Sequence, residues 1–470
     1  MLRYFVRSMN RPNLIRDPVA PLLIRLILPM LVGALGIVMF NVVDTFFVGR
    51  LGALELAAMS YTFPIVIVAG SIASGLGIGA SAHVSRALGA GDRETARRIT
   101  LHAHLLALLV TIGLATLGMT TIEPFFTLLG AERELLMLIR EYMVVWYLGM
   151  PFVMLPMVGQ NILQATGDSR TPSAVILFAV TTNMVLDPLL IFGYGPFPAM
   201  GIRGAAVATV IARGSTMVIV LGSLVFRKRM MPARAQVDRL LESARRVLFV
   251  GVPAALTNLA LPVSIAVVTR LVSRFGAPAV AGFGVATRLE SFSLVFMMAL
   301  SMVYTPFVGQ NLGAGRLERV RSGYRVAAIM SLVWGLMVAI VFALAGRVIA
   351  GVFNDTKAVI DTTALYLRIL SPSFGLMGVV TVTAAAYNGL QKPFSASGVA
   401  FMRLVGLYIP FALAGRALGG LPGLFVGLAL GNMVAGIAAA LLFRRTAAIF
   451  GRDERLSPAT SPAFAAEPHP

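Results

Sequence analysis

The chain has 470 residues, 58% hydrophobic and 13% charged, with a net charge of +19. Soluble domains carry about 25% charged residues, so this composition excludes a string of soluble domains and points to a lipid bilayer as solvent. The lack of cysteine excludes disulfides, thiolate metal sites and cysteine nucleophiles.

The opening segment MLRYFVRSMNRPNLIRDP is basic but has neither the apolar stretch nor the small-residue cleavage site of a signal peptide. The first membrane helix is expected to act as an uncleaved insertion signal. A helix needs roughly 20 apolar residues to cross a bilayer, and about twelve such runs follow. They lie near 21–48, 56–84, 99–121, 135–160, 173–194, 204–226, 248–272, 281–308, 326–350, 364–387, 395–415 and 423–443. The gaps after odd-numbered runs hold few or mixed charges, such as Glu132, Arg133 and Glu134. The gaps after even-numbered runs are basic, with Arg86, Arg93, Arg97 and Arg98 in one and Arg316, Arg319, Arg321 and Arg325 in another. Basic loops face the cytoplasm, which puts both termini there and makes a nucleic-acid partner the wrong explanation of the charge. The expected layout is a cytoplasmic segment 1–20, a first lobe 21–226, a cytoplasmic loop 227–246, a second lobe 247–443 and a disordered tail 444–470.

The basic loop 227–246 falls at the midpoint and invites a search for a repeat. RALGAGDRETARR at 86–98 resembles QNLGAGRLERVRS at 310–322, and the same register sets Leu51-Gly52-Ala53 on Phe275-Gly276-Ala277. QATGDSRTP at 164–172 matches YNGLQKP at 387–393 with one residue skipped, and GIRGAA at 201–206 matches GLPGLF at 420–425. A six-helix unit therefore occurs twice in parallel orientation, a plan in which transporters place their cavity between or within repeats.

Ionisable side chains at bilayer depth cost at least about 2.5 kcal/mol and need a reason. The first half has Asp44 in helix 1 and Asn183 and Asp187 in helix 5, the latter two on one helix face. Pro188 is expected to open helix 5 beside Asp187. Thr209 in helix 6 adds a hydroxyl. By the repeat registers these four positions correspond to Val268, Val405, Ile409 and Leu428. The fold does not require the polar groups, so they are read as functional. Two carboxylates, an amide and a hydroxyl form a hard oxygen site suited to an alkali cation or a proton, not to copper or zinc.

In order along 20–443, the motifs VDTFFVGRLG, LGAGD, QATGDSRTP, NMVLDPLLIFG, GAAVAT, ATRLESF and GQNLGAG resemble the multidrug and toxic compound extrusion (MATE) transporters. The resemblance implies two six-helix lobes around a V-shaped central cavity. It makes Asp44, Asn183, Asp187 and Thr209 the N-lobe cation site for Na⁺ or H⁺, and Pro29 a hinge in helix 1. Helix 7 lacks the acidic residue of the NorM-like branch, reading TNLALPVS at 257–264, so the pattern is closer to the DinF-like branch. Candidate cavity residues are Asn41, Met157, Gln160, Asn161, Arg288 and Glu290.

Other motifs carry less. GLGIGAS at 75–81 lies in a membrane helix and reads as close packing. His102 and His104, two apart, read as residues of a helix end near the interface. Met150, Met154 and Met157 read as packing before they read as a drug surface. No Walker motif is present. The expectation is an all-α antiporter, monomeric, in a bacterial inner membrane, without a cofactor, exporting amphipathic organic cations and not an enzyme. The alternative is a lipid-linked precursor flippase, for which Arg213, Arg270, Arg288 and Arg403 would have to form a phosphate-binding cavity.

Overall fold

The computed structural model describes residues 12–232 and 238–456, apart from the side chains of 41, 42 and 449–456. The basic residues Arg3, Arg7 and Arg11, part of the loop 227–246, and the tail from 457 lie outside the described residues. The first lobe comprises α1 (Val19–Gly49), α2 (Ala53–Gly89), α3 (Arg93–Leu128), α4 (Arg133–Ala165), α5 (Arg170–Phe192) and α6 (Gly201–Gly222), which ends in a π-helical turn at Ser223–Arg227. The second comprises α7 (Leu240–Val272), α8 (Ala277–Gly313), α9 (Leu317–Phe353) and α10 (Lys357–Gly389), the last interrupted by a 3₁₀ turn at Ser371–Ser373. A final helical stretch runs from Pro393 to Leu456.

That last stretch resolves the count of crossings. Among the described residues eleven helical stretches are long and apolar enough to cross a bilayer, but the eleventh, Pro393–Ala448, holds 56 residues. At 1.5 Å per residue it would be more than twice the ~30 Å hydrocarbon thickness. Its backbone leaves helical geometry at Gly419 and Gly420, the latter at φ 58°, a left-handed value suited to glycine. The two arms, α11 (393–418) and α12 (421–456), then pack as an antiparallel hairpin. Gly423 has no room for a Cβ against the Gly415 carbonyl, nor Gly427 against that of Phe411, and Gly431 lies against Tyr408. This is close helix approach through small residues, and it gives twelve crossings. Helices overrun the apolar runs at their ends, because flanking residues such as Arg86 and Arg93 keep helical geometry beyond the apolar stretch. In the same way α12 continues past 443 to Leu456.

The repeat is visible in the fold. Helices α2 and α8 are both 37 residues long and begin and end at positions equivalent under the LGAG register. The two motifs meet reciprocally. Gly89 abuts the Gln310 carbonyl, Gly313 abuts the equivalent Arg86 carbonyl, and Gly309 faces Ser85. The pseudo-twofold axis therefore passes between α2 and α8. A second equivalence was not read from the sequence. The Ser173 hydroxyl of α5 donates to the Pro29 carbonyl of α1, and the Ser397 hydroxyl of α11 donates to the Pro253 carbonyl of α7 at 3.0 Å. Matching Ser173 to Ser397 moves the helix 5/11 register along from the motif alignment, and α11 takes π-helical turns at Met402–Tyr408 where α5 stays α-helical. Either register leaves Asn183 and Asp187 opposite apolar residues: Val405 and Ile409, or Leu407 and Phe411.

Hydrogen bonds between the lobes run from the basic-loop end to mid-membrane. Gln310 Nε2 donates to the Ala165 carbonyl at 2.7 Å, and Asn258 Nδ2 donates to Ser74 Oγ at 3.3 Å. The segment before α1 closes the same end. Asn311, Arg316 and Arg319 donate to the carbonyls of Leu14 and Ile15. The tight glycine contacts between the lobes, Gly75 on the Gly251 carbonyl, Gly79 on that of Val247 and Gly89 on that of Gln310, lie in the same half, so the lobes close at the basic-loop end and the V opens away from it. His102 and His104 are buried between helices in the first turns of α3. His102 Nδ1 is 2.8 Å from Ser243 Oγ and His104 Nδ1 is 2.8 Å from the Thr100 carbonyl. They sit in the helix core because α3 packs on α4 and α7 along that face. Met150 and Met154 are core as well.

Candidate functional site

The four polar residues singled out in the first half come together in the half of the N-lobe nearer the open end. Asp44 is 7% exposed on α1, Asn183 and Asp187 are 1% and 0% exposed on α5, and Thr209 is 7% exposed on α6. The four-residue spacing lets Asn183 Nδ2 donate to Asp187 Oδ1 at 3.0 Å, and the same nitrogen is 3.5 Å from Thr209 Oγ1. Asp44 lies within electrostatic reach of Asp187 and of Arg213. The Arg213 guanidinium in turn sits 4.9 Å from the centre of the Phe40 ring. The expected opening of α5 at Pro188 is absent: the helix continues to Phe192. Proline removes one backbone donor, and that single loss is absorbed without breaking the helix.

What marks the site chemically is its surplus of acceptors. Asp44 Oδ1, Asn183 Oδ1 and Asp187 Oδ2 are all buried without a hydrogen-bond partner. Each unpaired buried acceptor costs about 1–3 kcal/mol, more when charged. Three of them in one place suit a proton or a hard cation that supplies the missing positive charge. Among the described residues no cluster of three His, Asp or Glu side chains is placed to hold a metal ion.

One neighbour, Tyr142, escaped the sequence reading, and another, Arg213, was read only as a candidate phosphate ligand. Tyr142 of α4 lies close enough for both aspartates to act on its hydroxyl. Nothing in REYMVVWYLG marks it, since its proximity arises only from packing of α4. Arg213 had a usable signal, because an intramembrane arginine calls for an intramembrane acid.

The candidate cavity residues disperse. Gln160 is buried. Asn161 Nδ2 donates to the Met157 carbonyl at 2.9 Å and packs on Gly77 of α2. Asn41 lies outside the described side chains. Arg288 is exposed on α8. Glu290 does not pair with Arg288. It accepts from the Tyr366 hydroxyl of α10 at 2.5 Å and lies within reach of Arg403. The pair fails because residues two apart on a helix point to different faces. Pro29 lies inside an unbroken α1.

The MatE family model matches residues 29–189 and 253–414, one stretch in each lobe. The "FAD transporter" of Shewanella oneidensis is 37% identical over 93% of this chain and 97% of its own length. The "Probable multidrug resistance protein YoeA" of Bacillus subtilis is 27% identical over 72% of this chain and 74% of its own. Among solved structures, the Vibrio cholerae MATE transporter VcmN in the bent form superimposes with a TM-score of 0.88 at 30% identity, covering 93% of this chain and 98% of that one. The doubled fold, the family match over both lobes and these relatives lead to one conclusion: the chain belongs to the MATE family, a multi-pass membrane transporter and not an enzyme.

Proposed function

We propose that the chain exports its substrate by cation-coupled antiport, with Asp44, Asn183, Asp187 and Thr209 taking up Na⁺ or H⁺. The observation that carries this reading is the trio of buried, unpartnered oxygens in the N-lobe. A cation entering from the open end satisfies them, and the altered charge at Asp44 changes how α1 packs. Cation and substrate exchange only if each favours a different conformation. The N-lobe location fits the DinF-like pattern, in a bacterial inner membrane with both termini cytoplasmic.

For the substrate we favour a flavin dinucleotide over an amphipathic organic cation. The support is the 37% identity to the FAD transporter of Shewanella oneidensis and an exposed face of α8 carrying Gly284, Arg288 and Ser291, which suits an anionic ligand better than a cation. A lipid-linked precursor is less well supported. Arg403 is buried beside Glu290 and Arg213 is stacked on Phe40, so those arginines are not free to cradle phosphates.

The test is efflux from proteoliposomes under separately imposed pH and Na⁺ gradients, with FAD and ethidium as alternative cargoes. One gradient is expected to drive FAD efflux, and Asp44→Asn to abolish it. Gradient-driven efflux by Asp44→Asn at the parent rate would sink the coupling assignment. Ethidium transport without FAD transport would restore the organic-cation reading.

A further inference from the structure

The basic-loop end holds a chain of hydrogen bonds that cation coupling leaves unused. Gln391 sits in the turn between α10 and α11 at φ 57°, a left-handed value that non-glycine residues seldom adopt. Its side chain reaches across to α2 of the other lobe. Oε1 accepts from Arg86 Nη1 at 2.6 Å, while Nε2 is 2.8 Å from His83 Nδ1 and 3.4 Å from the Ala82 carbonyl. His83 Nε2 lies 3.0 Å from the Arg246 carbonyl of α7. Helix α7 approaches this closely because Gly79, one turn before His83, leaves no room for a Cβ against the Val247 carbonyl.

These contacts fix a protonation state. A guanidinium only donates, so Gln391 turns its oxygen to Arg86 and its NH₂ to His83. His83 Nδ1 must then accept, and Nε2 carries the proton that it donates to the Arg246 carbonyl. One neutral tautomer satisfies every contact. In the imidazolium, an N–H at Nδ1 would face the NH₂ of Gln391. Flipping the amide would only move the conflict, setting NH₂ against Arg86. The surrounding charge does not relieve it. Arg86 and Arg246 both act on the ring. Glu242 is engaged by Arg246 at 2.6 Å. Lys392 adjoins Gln391 in the turn, and His102 of α3 is held by Ser243 of α7.

We propose that His83 is a proton-binding site on the interlobe closure. Binding one proton there breaks the Gln391–His83 bond, leaves the α10–α11 turn held to α2 only through Arg86 and the longer Ala82 contact, and favours opening at the basic-loop end. A proton does this because the two conformations differ in their affinity for it. Its role in transport rests on the alternating-access reading, but the bond itself involves neither aspartate.

The chain has no cysteine, so Glu94→Cys and Glu318→Cys place one spin label in each lobe at this end. Both positions are exposed and equivalent in the repeat. An Asp44→Asn, Asp187→Asn background removes titration at both carboxylates of the N-lobe site. In lipid nanodiscs titrated from about pH 8 to about pH 5, the longer interlobe distance is expected to gain population by up to about tenfold per pH unit. With His83→Gln the distribution should not respond to pH. With Gln391→Glu the sign should reverse, because a carboxylate accepts from Arg86 and from the imidazolium together. A parent distribution that does not change with pH, or an unaltered pH response in either variant, overturns the proposal. An intact response here, alongside Asp44→Asn efflux at the parent rate, would leave this site standing and remove the coupling assignment alone.

Discussion

The two lobes share a helical frame and differ in what they leave unsatisfied. In the N-lobe, Asp44, Asn183 and Asp187 each keep a buried oxygen without a partner. In the C-lobe, the counterparts Val268 and Leu428 are fully buried members of one apolar cluster. The C-lobe does hold a half-buried acid, but Glu290 is met by the Tyr366 hydroxyl and lies near Arg403. The comparison is an internal control. Features present in both copies belong to the frame, and features present in one are candidates for function. Asp44 and Asp187 pass that test. Pro29 does not, because Pro253 repeats it together with its serine donor.

The largest expected effect on transport lies at the position with the sharpest contrast. Asp187→Asn keeps an acceptor for Asn183 and the volume of the side chain, so the variant should fold. Gradient-driven efflux should fall by more than tenfold, a change above about 1.4 kcal/mol in the coupling step. Efflux kept within twofold of the parent would mean that the contrast between lobes is not functional.

Much of this was legible beforehand, for identifiable reasons. Apolar runs show where helices cross, and the LGAG motifs survive in both halves because their glycines meet at the pseudo-twofold axis. The N-lobe site was legible because carboxylates have no bland reason to be in a membrane. Tyr142 was not, because a tyrosine is unremarkable in a membrane helix until packing brings it beside an acid. The fate of Glu290 was also hidden. Its neighbour in sequence, Arg288, points elsewhere, and its hydrogen-bond donor comes from α10. The unbroken α5 at Pro188 shows the limit of local rules: one missing N–H is tolerated where helices on both sides hold the segment.

A second contrast concerns the turns that join helices 4 and 5 of each repeat. In the N-lobe, Asp168 accepts from Lys228 Nζ at 2.7 Å and from the Thr171 N–H and hydroxyl at 3.0 and 2.9 Å. In the C-lobe, Gln391 does the work without an ion pair. Lys228→Met should cost about 3 kcal/mol, because it strands a largely buried carboxylate. Burial alone would raise the Asp168 pKa, but the Lys228 and Thr171 bonds outweigh it and hold the group below the usual carboxylate value. Its stabilisation is therefore complete above the unfolded pKa of about 3.9 and is lost as pH falls through the lower folded value. Thermal melts across that acid range should show the parent losing stability and Lys228→Met losing less.

Glu290→Gln probes the opposite side of the comparison. It weakens the hydrogen bond that a carboxyl oxygen accepts from Tyr366, a loss of about 1.5 kcal/mol, visible as a lower melting temperature. Because that acid is already satisfied within its lobe, efflux per folded transporter should stay within twofold of the parent. A collapse of coupling would make the C-lobe acid a second functional site and end the asymmetry between lobes.

The smallest effect is the most discriminating for helix 1. Ser173→Ala and Ser397→Ala each remove one hydroxyl donated to a proline carbonyl, and each should cost about 1 kcal/mol. If the serine–proline contact serves only the frame, the two variants should match in stability and in transport, since both lobes carry it. If α1 instead works as a hinge at Pro29, releasing its carbonyl from α5 alters the exchange between conformations, and Ser173→Ala should change the efflux rate while Ser397→Ala does not. Parallel melts and efflux rates for the two variants decide it. A difference in rate at equal stability is a signature that packing alone cannot produce, and it would give Pro29 a role that its repetition in Pro253 otherwise denies.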